Sequence, residues 1–335
     1  MELKGKRVFV TGGSGFLGSY LIPQLKLEGA EVHTVSSSCL DLREKINVDM
    51  LYRVFKPDVV IHLAANCGGI GANQAAPGAF FYDNLMMGML MIEGARKHGI
   101  EKFVQVGTVC AYPKFTPAPF KETDIWNGYP EETNAPYGIA KKALLVQCQA
   151  YRQQYGLNAI YVVPVNLYGP RDNFDFNTSH VIPALIRKCL EAKQNGDRAI
   201  TVWGTGTASR EFLYAEDCAD AIILATRLYD GSEPVNIGSG QEITINNLVD
   251  LVMKVTGYTG EVIFDSTKPD GQPRRVLETS RAKESFGFSA STSLEDGLRL
   301  TTEWYEQSIG SNKLVRELRE EWPEPTPKRH MAGRC

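Results

Sequence analysis

The chain has 335 residues, 43% of them hydrophobic and 22% charged, as in an ordinary globular protein with a large core. Its net charge of −3 gives no general attraction to nucleic acid or to an anionic membrane, so neither is predicted as a partner. No apolar run approaches the roughly 20 residues of a membrane span, and no signal-peptide core precedes the first strand-like run. Seven scattered cysteines, none in C-x-x-C spacing, argue against a disulfide framework and against a zinc site. A cytoplasmic location without a metal is expected.

The first predicted element is a strand that runs into a glycine-rich turn. Residues 7–10 are an apolar β run, residues 11–18 form the turn, and a helical pattern continues to Gly29. Strand, Gly-x-x-Gly-x-x-Gly and helix in this order are typical of a dinucleotide site, where the helix N-terminus faces a pyrophosphate. The cofactor-binding residues predicted here are Gly12, Gly13, Ser14, Gly15, Phe16, Leu17 and Gly18.

The end of the second predicted strand, residues 31–35, bears on the choice of cofactor. NAD-preferring proteins carry a carboxylate there for the ribose 2′-hydroxyl, whereas this chain has Ser36 and Ser37 and no carboxylate before Asp41. Hydroxyls can donate to a 2′-phosphate, so NADP(H) is predicted and NAD stays open. Asp41 and Leu42 are candidates for the adenine edge.

Two further strands are predicted at residues 59–63 and 102–106, with a helix at residues 79–97 between them. His62 is interpreted as a core residue, since the run around it is continuously apolar. Ligands bind at the carboxyl ends of parallel strands, which makes the hydroxyl of Thr108 and the thiol of Cys110 candidates for chemistry. The cofactor-binding residues predicted in this part are Leu63, Ala64, Ala65, Asn84 and Gly107.

Tyr137 and Lys141 stand four residues apart at the start of a predicted helix, which places them on one helical face. A phenol has an ordinary pKa near ~10, and a neighbouring ammonium is expected to lower the pKa of Tyr137 toward neutrality. The pair therefore suits proton exchange. By itself it is weak evidence, because Tyr and Lys meet at this spacing by chance in many helices.

The remaining pattern predicts a Rossmann-type doubly wound α/β sheet with a smaller α+β lobe. The predicted cofactor domain covers residues 1–170 with a returning segment near residues 211–240, and the substrate lobe covers residues 171–210 and 241–320. Thr244 is a predicted helix cap, and Thr292 with Glu295 forms a capping-box pattern. Residues 321–335 are expected to be a loosely ordered tail.

With these residues in view, the chain resembles the extended short-chain dehydrogenase/reductase superfamily, and within it the GDP-L-fucose synthase family. The resemblance extends to about Trp304. It is carried by residues 11–18, 64–70, 109–113 and 134–141, and most specifically by residues 166–174, 179–185, 202–206 and 268–271.

The resemblance implies a role for each candidate. Tyr137 would donate a proton during reduction of a 4-keto group, Lys141 would hold the nicotinamide ribose, and Thr108 would bind the carbonyl oxygen. Cys110 and His180 would be the base and acid of epimerisation. Pro164, Asn166, Leu167 and His180 would border the cofactor. The implied substrate-binding residues are Thr108, Asn166, Lys188, Trp203, Arg210, Lys268 and Glu278.

Other interpretations stay open at this stage. Cys110 could be a small buried hydrophobe, His180 a helix cap, and the basic pair Arg187 and Lys188 a solvated helix face. The enzyme could act on another 4-keto nucleotide sugar, or be a redox-neutral epimerase that keeps NAD bound. A non-catalytic NADP-binding regulator is disfavoured because the Tyr137–Lys141 pair is retained. The resemblance also implies a homodimer through the helices following Ala79 and Pro136.

Overall fold

The computed structural model describes residues 1–321, with side chains to residue 310. The elements of the first half are β1 (Arg7–Thr11), α1 (Gly18–Leu27), β2 (Glu31–His33), α2 (Lys45–Phe55), β3 (Val59–His62), α3 (Ile70–Ala75), α4 (Pro77–His98), β4 (Lys102–Val106), α5 (Ala135–Tyr155) and β5 (Ala159–Pro164). Those of the second half are β6 (Asn166–Tyr168), α6 (Val181–Asn195), β7 (Ala199–Trp203), β8 (Ser209–Tyr214), α7 (Ala215–Leu228), β9 (Val235–Ile237), β10 (Glu242–Thr244), α8 (Ile245–Thr256), β11 (Glu261–Asp265), α9 (Ser280–Phe286) and α10 (Leu294–Glu321).

A parallel sheet forms the centre of the molecule. Its six strands in the described chain have the order β2-β1-β3-β4-β5-β9, and all their pairings are parallel. Every residue of β3, β4 and β5 is buried, because helices cover both faces of such a sheet. The strand order reverses direction next to β1, where ligands bind in open α/β sheets. The predicted Rossmann-type class is confirmed.

The helices pack in two groups. One group contains α2, α4 and α5, and the other contains α1 and α7. α4 ends at Gly99, whose φ of 61° provides the left-handed C-cap.

His62 lies on β3 with no exposed surface and shares a 2.7 Å hydrogen bond with the Thr11 hydroxyl, so its interpretation as a core residue is confirmed.

A second core lies beside the sheet. The three-stranded sheet β10-β8-β6 and the parallel pair β11-β7 pack with α6, α8 and the start of α10. β9 rejoins the large sheet next to β5, and α7 packs on α1. The division into two domains at the predicted bounds stays a prediction.

The helix caps agree with the sequence in one case and differ in another. The Thr244 hydroxyl accepts a 3.2 Å hydrogen bond from the Asn247 N–H and caps α8, as predicted. The Thr292–Glu295 capping box is wrong: Ser293 accepts from the Asp296 N–H at 3.1 Å, because the Asp217 carboxylate accepts both hydrogen bonds that Thr292 donates. Asp217 stands in the first turn of α7, too distant in sequence for a local pattern to include.

Two further expectations concern the C-terminal tail and membrane-spanning helices. The predicted tail at residues 321–335 lies outside the described residues, apart from Glu321 at the end of α10. Among the described helices none is long and apolar enough to cross a bilayer.

Candidate active site

The carboxyl ends of β1, β3, β4 and β5 open into a cavity of about 1530 Å³. Its opposite wall comes from α6, β7, β8 and the segment 269–275. Pockets for a single drug-sized ligand occupy roughly 300–1,000 Å³, so this cavity has room for two large ligands.

One end of the cavity is lined by the glycine-rich turn between β1 and α1. Gly12 has a φ of +69°, and a Cβ there would lie 2.9 Å from the Ala64 backbone nitrogen, so only glycine permits this turn against the loop after β3. The N-terminus of α1 faces the cavity at Gly18. The predicted cofactor residues that line this end are Gly12, Ser14, Gly15, Phe16, Leu17, Gly18, Ser37, Asp41, Leu42, Leu63, Ala64 and Ala65.

A basic residue lies beside the serines at this end. Arg43 lines the cavity together with Ser37 and Ser38. Its guanidinium donates to Asp41 at 2.7 Å and to Asp83 at 2.9 Å, and the hydrogen bonds from Arg43 hold the pKa of Asp41 below its ordinary value. A phosphate at this end would meet two hydroxyls and a guanidinium that is already paired with two carboxylates.

Tyr137 and Lys141 lie in the first two turns of α5 and face the middle of the cavity. The Lys141 Nζ lies 6.0 Å from the centre of the Tyr137 ring and donates to the Val106 carbonyl at 3.2 Å. Burial lowers the pKa of Lys141 to about 8. Burial raises the pKa of Tyr137 well above its ordinary value, although the Thr108 hydroxyl bonded to the phenol acts in the opposite direction. The expected lowering of the Tyr137 pKa by Lys141 does not occur in this structure, where burial dominates, and the phenol is protonated at neutral pH.

Thr108 and Cys110 leave β4 in a single 3₁₀ turn, residues 109–111. The Thr108 hydroxyl accepts a 3.2 Å hydrogen bond from the Cys110 N–H and caps this turn. A Cβ on Gly138 would clash with the Cys110 carbonyl oxygen, so glycine next to Tyr137 is what lets α5 approach the turn. Cys110 is half-buried and lines the cavity, which disfavours its interpretation as a core hydrophobe.

His180 stands immediately before α6 on the facing wall. It occupies the N-cap position, but its side chain makes no capping hydrogen bond to the helix, which disfavours a role limited to capping. The imidazole faces the cavity, and the cavity walls around it exclude much of the surrounding water. This desolvation lowers the pKa of His180, and the positive charge of Arg275 lowers it further.

The far end of the cavity is basic. Arg210 is buried and donates to the carbonyls of Ser209, Gln272 and Asp270, and burial followed by the Arg275 charge lowers its pKa to about 9. Lys188 lines the same end and donates to the Thr201 carbonyl at 2.8 Å. In the described part of the chain neither Arg210 nor Lys188 forms an ion pair with a carboxylate. Two cations held by carbonyls alone suit an anionic ligand.

Comparisons with known proteins agree with this geometry. The sequence profile of the NAD dependent epimerase/dehydratase family matches residues 8–238. This chain belongs to that family. Over 310 residues it is 44% identical to the GDP-L-fucose synthase of Sinorhizobium fredii, which covers 92% of this chain and 98% of that relative. The predicted resemblance is confirmed.

Two solved structures extend the comparison. A GDP-6-OMe-4-keto-L-xylo-heptose reductase from C. jejuni has a TM-score of 0.86 at 28% identity, covering 92% of this chain and 99% of that one. A GDP-L-fucose synthetase from Naegleria fowleri bound to NADP has a TM-score of 0.83 at 26% identity, covering 92% and 96%. These relatives share the fold over nearly the whole described chain.

Most of the remaining predicted site residues of this epimerase/dehydratase family member also line the cavity. They are Gly107, Pro164, Asn166, Leu167 and Trp203, together with Thr108, Cys110, Tyr137, Lys141, His180, Lys188 and Arg210. Their shared location is a finding, whereas their individual roles stay predictions.

Three predicted cofactor residues do not line the cavity. Gly13 packs against Thr34, where a Cβ would clash. The Ser36 hydroxyl bonds to that of Ser38 at 2.8 Å. Asn84 is buried in α4, accepts from the Asn66 N–H at 3.1 Å and donates to the Asn66 carbonyl at 2.8 Å. Asn84 therefore holds the loop after β3 in place.

Two predicted substrate residues also lie off the cavity wall. The Lys268 Nζ lies 5.2 Å from the centre of the exposed Trp203 ring, at the rim. The Glu278 carboxylate faces away and accepts from the Ser280 N–H at 2.9 Å and its hydroxyl at 2.8 Å. The carboxylate that does line this end is Asp270, which accepts from the Thr205 N–H at 2.7 Å.

Several cavity residues were missed by the sequence reasoning. Arg43, Asp172, Gln272 and Arg275 all line the cavity. Asp172 accepts from the Asn173 N–H at 2.7 Å, its other oxygen has no partner among the described residues, and burial raises its pKa to about 7. For Asp172 the only available signal in the sequence was its place inside residues 166–174, which carry the family resemblance. For Gln272 and Arg275 the signal was their place just after residues 268–271.

Proposed function

We propose that this chain is an NADP(H)-dependent epimerase/reductase that converts a GDP-4-keto-6-deoxy-hexose to GDP-L-fucose or a close relative. The observation that carries the proposal is the meeting of Thr108, Cys110, Tyr137, Lys141 and His180 on one cavity. Reduction of a ketone by a bound hydride carrier requires the hydroxyl, the phenol and the lysine. The thiol and the imidazole add a base and an acid, which epimerisation requires.

The cofactor end of the cavity fits NADP(H). The backbone around Gly12 and Gly15 and the N-terminus of α1 are suited to the pyrophosphate, because both glycines line the cavity without a side chain and the helix N-terminus offers backbone N–H groups. Ser37, Ser38 and Arg43 would hold the 2′-phosphate. When bound, NADPH supplies the hydride that reduces the C4 ketone.

The residues at the middle of the cavity would handle the proton of reduction. The raised pKa of Tyr137 keeps its phenol protonated, so it can donate to the C4 oxygen as negative charge develops there. The Thr108 hydroxyl would bind the same oxygen. Lys141, with a pKa of about 8, is poised to exchange protons at neutral pH and would also contact the cofactor ribose.

Epimerisation would precede reduction, because the C4 ketone acidifies the hydrogens at C3 and C5. Cys110 as a thiolate takes the proton and forms S–H, and the electron pair of the broken C–H bond moves to the C4 oxygen as an enolate. His180, from the facing wall, would act as an imidazolium that has taken a proton from solvent and would return it to the opposite face of the carbon as the enolate re-forms the C4 ketone; its lowered pKa makes that imidazolium a stronger acid. The two groups come from different walls of the cavity, as inversion requires.

The basic end would hold the nucleotide. Arg210 and Lys188 are suited to the diphosphate, since both lie in the wall and lack carboxylate partners among the described residues. The Trp203 ring is 50% exposed and offers a face on which a base can stack.

A second candidate is a 4-reductase or epimerase for another 4-keto nucleotide sugar, favoured by the similarity to the C. jejuni heptose reductase. We would supply GDP-4-keto-6-deoxy-mannose with NADPH and follow absorbance at the NADPH band, with UDP-, CDP- and dTDP-linked 4-keto sugars in parallel. Oxidation with the GDP sugar supports the proposal; its absence with that sugar refutes it. Oxidation only with another sugar establishes the second candidate.

We also propose a homodimer formed through α4 and α5. Phe81, Tyr82 and Met89 on α4 and Val146 on α5 are exposed apolar side chains that such a contact would cover. Light scattering that gives the mass of one chain at micromolar concentration would contradict it. A cytoplasmic location stays a prediction.

A further inference from the structure

Arg275 occupies an unusual position for a cation near the proposed base. It is 7% exposed and follows the segment 268–271 at the cavity wall. Its Nη1 lies 3.8 Å from the Cys110 sulfur and donates to the Asn166 side-chain oxygen at 3.3 Å. No carboxylate in the described residues forms an ion pair with it. Its charge therefore faces the thiol without a compensating anion.

A buried glutamine fixes this guanidinium relative to the turn that bears Cys110. The Arg275 Nε donates to the Gln272 side-chain oxygen at 3.0 Å. Gln272 is 1% exposed, and its amide donates to the carbonyls of Pro113 at 2.9 Å and Lys114 at 3.2 Å. Pro113 and Lys114 stand three and four residues after Cys110, so one hydrogen-bonded frame sets the distance from the guanidinium to the sulfur.

The neighbouring cation is held differently. All the hydrogen bonds that the structure gives Arg210 go to backbone carbonyls, and one of them is that of Gln272. The charge of Arg210 also acts on Cys110, but Arg210 makes no hydrogen bond to the thiol, whereas Arg275 contacts both the proposed epimerisation thiol and the proposed cofactor neighbour Asn166. The thiolate is the reactive form of cysteine, and an adjacent arginine favours it.

We propose that Arg275 is a positioning residue for epimerisation, which holds the Cys110 sulfur in place and supplies the positive charge that the thiolate needs while it removes a proton from carbon. The inference rests on the proposed function, since it assigns a partner to the base. It means that epimerisation requires Arg275 and that the reduction step does not.

Alkylation of cysteines in the substrate-free protein tests this without any turnover. We would treat the protein with iodoacetamide at pH 7 and measure the rate at each cysteine by peptide mass spectrometry. Cys67 is an internal reference, because it lines the same cavity and makes no hydrogen bond to Arg275; burial raises the pKa of its thiol in the parent and the variants alike. Cys148, Cys189 and Cys218 are buried, and their alkylation reports unfolding.

The variants are Arg275→Gln, Arg275→Lys and the matched control Arg274→Gln. Arg274 is exposed and pairs with Glu242 instead of Cys110. We expect Arg275→Gln to lower the Cys110 rate relative to Cys67 by about tenfold, and the other two to change it by less than about threefold. An unchanged ratio in Arg275→Gln overturns the proposal. If that variant exposes the buried cysteines, Arg275→Met is judged by the same ratio.

A second readout separates this role from diphosphate binding. Deuterium uptake at C3 and C5 of GDP-4-keto-6-deoxy-mannose in D2O, without NADPH, should lose kcat in Arg275→Gln by about tenfold with KM changed by less than about twofold. A tenfold rise in KM with kcat and the alkylation ratio unchanged would make Arg275 a nucleotide ligand and overturn the proposal. If no variant takes up deuterium but the alkylation ratio falls, the proposed substrate is wrong and the Arg275–Cys110 coupling stands.

Discussion

Asp172 carries an energetic cost that can be measured as a dependence of stability on pH. Its folded pKa of about 7 lies above the unfolded value near ~3.9, because the cavity wall desolvates the carboxylate and, among the described residues, only the Asn173 N–H donates a compensating hydrogen bond. Between these two values the folded state binds more protons than the unfolded state. Stability is therefore lost as the pH rises through this window.

The magnitude follows from linkage. A shift of about three pKa units corresponds to at most about 4 kcal/mol, of which roughly 2.7 kcal/mol falls between pH 5 and pH 8. Water in the cavity screens the charge, so we expect about 1–2 kcal/mol over this interval. Asp172→Asn abolishes the titration, but its amide leaves a buried donor unpaired and costs about 1–3 kcal/mol at every pH.

Urea unfolding at pH 5 and pH 8 gives the test. The free energy of unfolding of Asp172→Asn minus that of the parent should rise by about 1–2 kcal/mol from pH 5 to pH 8. Asp250→Asn, an exposed change on α8, is the control and should give a difference that varies by less than about 0.5 kcal/mol. An equal difference at both pH values for Asp172→Asn would refute the reasoning.

Four substitutions test the other parts of the cavity. Tyr137→Phe should lower kcat for NADPH oxidation by about 10²–10⁴-fold and preserve deuterium uptake into the substrate; a loss of both would place Tyr137 in epimerisation. Cys110→Ser should abolish uptake at C3 and C5 with the dissociation constant of NADPH unchanged within about twofold, and retained uptake would remove the thiol as base. Gly138→Ala should lower the melting temperature and kcat together, because its methyl group clashes with the Cys110 carbonyl; a neutral result in both would contradict the close approach of α5. Arg43→Met should raise KM for NADPH by about tenfold and leave KM for NADH unchanged, and equal effects on both would exclude a 2′-phosphate contact.

The sequence predicted the architecture because its local signals agree with the tertiary structure. The continuous apolar runs predict β3 and β5 as buried parallel strands from local sequence alone. The glycine turn between β1 and α1 predicts a dinucleotide site in the same way. The choice of Ser293 over Thr292 as the cap of α10 could not be predicted in this way. Thr292 is held by Asp217, 75 residues earlier in the chain, and that pairing exists only after folding.

The candidate site shows the same division. Cys110, Tyr137 and Lys141 were predicted because each has a local context at the edge of the sheet. Arg275 and Gln272 were missed, since their meaning depends on a hydrogen bond to a loop 158 or 159 residues away. The pKa shift of Tyr137 was predicted with the wrong sign, because the spacing of Tyr137 and Lys141 does not reveal the burial that raises the pKa of the phenol.

We propose that one cavity performs both epimerisation and reduction. The stereochemistry and deuterium content of the product formed from GDP-4-keto-6-deoxy-mannose and NADPH in D2O, determined by NMR, test this. We expect a product inverted at C3 and C5, with deuterium at both carbons and none at either when Cys110→Ser is used. A product reduced at C4 with C3 and C5 unchanged and free of deuterium would contradict it.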